Sequence, residues 1–172
     1  MRRGFTLIEL MVVVTIGMLL VGGISVATSS FLARERVSSS AKDLVSIINI
    51  AKNYAVTNQV PSGFTNLDYV AVTLTSSGLV SVFPVNNTTG IGSSYISKQA
   101  GNLGINFTPI NFGGLMFAAG SGKLLGKNAD PSYVSYPLPS TSSVGVTVSS
   151  AENPITRQII INPFGSVSST GL

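Results

Sequence analysis

A single carboxylate stands at the head of a long uncharged run. Arg2 and Arg3 come first, Glu9 follows, and no further charge appears from Leu10 to Ala33. As a helix that run is about 36 Å long, more than the ~30 Å hydrocarbon core of a bilayer. Leu10–Val26 alone offers ten Leu, Ile or Val side chains, together worth roughly 3 to 6 kcal/mol in favour of insertion. A charged residue costs about 2.5–3.5 kcal/mol at the bilayer centre and less near its edge. The segment therefore enters a membrane with Glu9 aboard, and Glu9 needs a neutralising partner. The plainer alternative, a carboxylate resting at headgroup level, has to be weighed against its neighbours.

A secretory signal does not fit. Its apolar region is only about 7–15 residues long and its cut follows that region at a small-residue site. Arg2 and Arg3 put the N-terminal end in the cytoplasm, with Arg34 and Arg36 on the far flank opposing that orientation.

The stretch Arg2-Arg3-Gly4-Phe5-Thr6-Leu7-Ile8-Glu9-Leu10-Met11-Val12-Val13-Val14 closely resembles the N-terminus of type IV prepilins and of type II secretion pseudopilins. The resemblance implies cleavage between Gly4 and Phe5 by a membrane prepilin peptidase, which also methylates the new amine of Phe5. It further implies that Glu9 pairs with the terminal amine of a neighbouring subunit as a filament grows. That role is physically coherent. Opposite charges at helix positions i and i+4 attract more strongly in a low-dielectric medium, and pairing relieves the cost of a desolvated anion.

Setting the helix aside leaves about 110 residues, enough for one domain with its own core. The formal net charge is +4, or +2 from side chains once Arg2 and Arg3 are removed. There is no cysteine and no histidine. No disulfide staples the domain, and Cys or Ser-His nucleophiles, the usual zinc sites and imidazole acid-base chemistry are all excluded. Catalysis, cofactors and metals are not expected.

Past Phe31 the pattern becomes two-faced. Leu44, Ile47, Ile48, Ala51 and Ala55 fall on one stripe, with Lys42, Ser46, Asn49 and Asn53 opposite. The expectation is one helix from Phe5 to about Thr57, roughly 80 Å long, ended by Pro61. Many pilins carry a proline about seventeen residues after the glutamate; this chain has Val26 there, and Gly22 and Gly23 instead. Gly22 and Gly23 predict a weak point near Gly22–Ser30; the alternative is close packing between membrane helices, for which Gly17 and Gly22 are suited.

From Tyr69 the apolar period approaches two. Strands are predicted at Tyr69–Thr75 and Leu79–Phe83, joined as a hairpin by Ser76-Ser77-Gly78, and at Leu103–Phe107, Leu115–Ala118, Val144–Val148 and Thr156–Ile161. Asn86–Asn102 reads as a mobile loop. The fold class is therefore α+β, a long N-terminal helix packed on an antiparallel β-sheet domain. The divisions are a leader over 1–4, a transmembrane and filament-core helix over 5–33, an amphipathic helix over 34–60 and a β-rich domain over 61–172. Asp43–Pro61 and Ile159–Val167 look like the helix end and the closing strand-turn-strand of the minor pseudopilin H family and its minor-pilin relatives.

Other motifs are discounted. Gly120-Ser121-Gly122-Lys123 lacks the first glycine of a phosphate loop, having Phe117 there, and has Leu124 where Ser or Thr would reach magnesium, so it reads as a turn. The sequons in Asn86-Asn87-Thr88-Thr89 and Asn106-Phe107-Thr108 mean little in a bacterial context, and Asp68, Asp130 and Glu152 are too scattered for a calcium loop. Some pilins capture DNA through C-terminal arginines. Here Gly165–Leu172 has no basic residue, and beyond the helix only Lys98, Lys123, Lys127 and Arg157 are positive, a poor surface for phosphates.

The function expected is that of a structural filament subunit, a minor pilin or pseudopilin. Its partners would be the prepilin peptidase and methyltransferase, sibling subunits, an inner-membrane assembly platform and membrane lipid. The globular part would face the periplasm or the exterior. The alternatives are a DNA-capturing competence pilin and an uncleaved, single-pass anchored surface protein.

Overall fold

The computed structural model describes residues 6–101, 105–110, 115–125, 143–151 and 154–171, excepting the side chains of 22–27, 109 and 110. One helix of 50 residues, α1 (Leu7–Val56), runs through the first third of the chain. It is unbroken across Gly22–Ser30. Its second half meets the expectation from periodicity: Leu44, Ile47, Ile48, Ala51 and Ala55 are all buried, and Val37 and Ala41 extend the same stripe towards the N-terminus.

The helix stops earlier than Pro61. Asn58 takes the left-handed conformation at φ 48°, the Asn58 N–H donates to the Ala55 carbonyl (3.2 Å), and the Gln59 N–H donates to the Tyr54 carbonyl (3.2 Å). This is a Schellman ending built on asparagine, one of the few non-glycine residues that tolerates that backbone. Pro61 lies beyond a turn already made.

Among the described residues ten strands follow: β1 (Tyr69–Leu74), β2 (Leu79–Asn86), β3 (Gly90–Ile91), β4 (Ile96–Gln99), β5 (Ile105–Ile110), β6 (Leu115–Ala118), β7 (Leu124–Leu125), β8 (Val144–Ser150), β9 (Thr156–Ile161) and β10 (Val167–Thr170). They form two antiparallel sheets rather than one. The first runs β3-β2-β1-β6-β7 with β4 also on β2, and the second runs β10-β9-β8-β5. The β1–β2 hairpin has the expected turn, with Tyr69 opposite Val85 and Leu74 opposite Val80 and Gly78 at φ 86°. Asn86–Asn102, expected as a loop, instead carries β3 and β4. Both are short edge strands, and β4 presents Ser97, Lys98 and Gln99 to solvent, so no apolar alternation announced it.

The amphipathic half of α1 packs against both sheets. Val70, Val72, Val80, Val82 and Phe117 from the first and Phe107, Val146, Val148, Ile159 and Ile161 from the second close on the helix stripe as one core. Strand alternation explains the choice: in β8, Val146 and Val148 face inward while Thr147 and Ser149 turn away. The central strand β1 is buried on both faces, because Tyr69 and Ala71 form a second small cluster with Val85 and Met116 on the side opposite the helix.

Candidate assembly site on the N-terminal helix

The helix begins with a reciprocal cap. Thr6 is the N-cap, in extended conformation at φ −78° and ψ 150°. The Glu9 backbone N–H donates to the Thr6 hydroxyl oxygen at 3.3 Å. In return the Thr6 backbone N–H and its hydroxyl each donate to Glu9 Oε2 at 3.0 Å. Thr6-Leu7-Ile8-Glu9 is thus a capping box, in which a threonine and a glutamate three residues on satisfy each other's orphan amides. The carboxylate also lies in the first turn, where the helix dipole favours negative charge. Thr6 is the residue the sequence reading missed, although the Thr-x-x-Glu spacing before an apolar run was there to be read. Gly4 and Phe5 lie outside the described residues.

Beyond the cap the helix is a bare apolar sleeve. From Leu7 to Val21 every large apolar side chain faces outward, Leu7 at 75 % and Leu19 at 74 % exposure. Nothing in the described fold covers them, and an apolar surface of this extent marks a site for lipid or for other protein. Among the described residues no helix is long and apolar enough to cross a membrane. The described sleeve Leu7–Val21 amounts to about 22 Å; the side chains of 22–27, which include Ile24 and Val26, lie outside the described residues. Burial sets in only at Ala33, and the globular domain covers one face of the helix from there on.

The remaining candidates fall elsewhere. Gly120–Lys123 is the turn between β6 and β7: the Gly122 N–H donates to the Ala118 carbonyl (2.8 Å), and the Ala118 N–H donates to the Lys123 carbonyl (2.9 Å). Among the described residues the cations beyond the helix sit on separate elements, Lys98 on β4, Lys123 in that turn and Arg157 on β9. Arg157 Nη1 donates to the Ser38 hydroxyl at 2.9 Å. Lys127 lies outside the described residues. No group of three or more acidic residues able to hold a metal ion occurs among the described residues.

Residues 1–25 match the prokaryotic N-terminal methylation motif. No curated protein matches the chain by sequence. Among solved structures the chain is similar to the minor pseudopilin EpsH from the type 2 secretion system of Vibrio cholerae. The TM-score is 0.50 at 10 % identity, over 79 % of this chain and 97 % of that one. At that identity the likeness is one of fold. The chain thus carries a prokaryotic methylation motif at the head of its helix and, behind it, a helix-on-sheets fold similar to that of a minor pseudopilin.

Proposed function

We infer that the chain is a structural subunit, a minor pilin or pseudopilin, matured by cleavage between Gly4 and Phe5 and methylated on the new Phe5 amine. The observation that carries this reading is the exposed sleeve Leu7–Val21 with one carboxylate at its head. A sleeve that no part of the described fold covers is suited first to lipid, as a single-pass anchor with its N-terminal end in the cytoplasm, and then to the sleeves of sibling subunits.

Glu9 then has two successive partners. In the precursor its charge is held by Thr6. After cleavage a free ammonium on Phe5 of a neighbour neutralises it inside a dry filament core, where an unpaired anion would be costly. The peptidase, sibling subunits and an inner-membrane platform are the partners, and the filament serves a pilus or a type II secretion system.

Co-expression with a prepilin peptidase followed by intact-mass measurement tests the maturation step. The expected product lacks Met1–Gly4 and carries one added methyl group; a chain retaining Met1–Gly4 would make it an uncleaved anchored protein instead. The competence-pilin reading has less support, because Lys98, Lys123 and Arg157 form no single stripe for a phosphate backbone.

A further inference from the structure

Where the bare part of the helix ends, three cations gather around one serine. Ser29 and Ser30 are exposed, whereas Ala33, one turn on, is 7 % exposed and Val37 is fully buried, so the lower rim of the globular domain meets the helix at Ala33. Arg34, Ser38 and Lys42 follow at spacings of four and form one stripe beside the buried face. Arg157 shares the inward side of β9 with Ile159 and Ile161 and lays its guanidinium against the middle of that stripe, Nη1 donating to the Ser38 hydroxyl.

That hydroxyl is neutral, and Arg157 Nε is buried without a hydrogen-bond partner. A guanidinium has five donors, so much of its capacity is unspent. Glu35 and Asp43 stand nearby in sequence, yet neither forms an ion pair with these cations among the described residues.

We propose that Arg34, Lys42 and Arg157, gathered about Ser38 at the lower rim of the domain, seat the phosphodiester headgroup of an anionic phospholipid and so hold the domain against the membrane before assembly. The occupant follows from position and charge. The cluster begins one residue past the uncharged run Leu10–Ala33, at the level where a bilayer presents its phosphates, and fork-shaped guanidinium donors match phosphate oxygens. This inference rests on the membrane-inserted reading of the helix.

The chain has no cysteine, so a single Thr156→Cys, beside Arg157 on an exposed position, carries a fluorophore without background. The full chain is placed in nanodiscs containing a headgroup-level nitroxide lipid, either with phosphatidylcholine alone or with phosphatidylglycerol added. Stronger quenching with phosphatidylglycerol, weakened by salt, is the expected result. Loss of one cation, in Lys42→Gln on an exposed helix position, should lower the apparent lipid affinity about fivefold, and loss of two, in the Arg34→Gln/Arg157→Gln pair, about 25-fold.

Quenching that ignores phosphatidylglycerol in chains recovered within the nanodisc overturns the lipid seat. Equal masking of the site by inorganic phosphate over phosphatidylcholine alone overturns it too, as would ready disulfide formation between the unlabelled Thr156→Cys thiols of two copies under an added oxidant. Failure of the chain to enter nanodiscs at all would fault the membrane reading, a distinguishable outcome.

Discussion

At the scale of single residues, Thr6 and Glu9 act as a unit. Thr6→Ala removes the cap and should cost about 0.5–2 kcal/mol at the helix start, which is about 2- to 30-fold faster hydrogen exchange at the first-turn amides; Thr6→Ser should restore protection. Unchanged exchange in Thr6→Ala would mean that the box contributes nothing in solution. A second residue-scale prediction concerns Gly165. Its φ of 74° lies in the left-handed region, and a Cβ there would press on the Gly122 carbonyl oxygen and the Lys52 stem, whereas Gly120 at the same φ faces open space. Gly120→Ala should cost about 1–2 kcal/mol for the backbone alone, and Gly165→Ala about 2–5 kcal/mol with overpacking added. Equal losses on denaturant unfolding would rule out the crowding argument. A third involves Tyr95, which stacks on Tyr54 at 4.6 Å and donates its hydroxyl to the Gln59 carbonyl. Burial, with Tyr54 adding, raises its pKa above the usual 10.0. The folded state therefore keeps this proton longer than the unfolded chain does. Its contribution to stability is fully present below pH ~10 and is lost as the pH rises through the folded value, and Tyr95→Phe should flatten that part of the alkaline decline.

At the scale of elements, the amphipathic half of α1 is the pillar on which both sheets rest. Ile48 is fully buried, so Ile48→Ala should cost about 2–5 kcal/mol, while Asn49→Ala next to it, on the exposed side, should stay within about 0.5 kcal/mol. Comparable effects from the two would contradict the packing described. This stripe was legible because period 3.6 survives any neighbour, and β1, β2, β8 and β9 were legible because their long apolar runs end in turn residues. What escaped was short or polar. β3 and β7 have two residues each, too few to show a period, and β4 borrows its order from β2 rather than from its own side chains. The helix ends where expected, at about Thr57, but by another device: Pro61 is a conspicuous breaker, yet the bend needed only Asn58 to accept positive φ.

For the whole molecule, the chain divides into a sleeve that nothing in the described fold covers and a domain that closes its own core. The functional expectation came almost entirely from Gly4–Glu9, because a lone carboxylate in an apolar run is costly enough to demand a purpose. The domain, with no histidine, no cysteine and few charges, gave pattern but no chemistry. The split into two sheets was not legible, since strand order depends on pairings distant in sequence. The most direct test of the account compares filament incorporation of wild-type chain and Glu9→Leu, both co-expressed with the prepilin peptidase and sibling subunits. The account predicts that Glu9→Leu inserts, is cleaved and folds its domain normally, yet is lost from sheared filaments. Wild-type levels of Glu9→Leu in those filaments would contradict it.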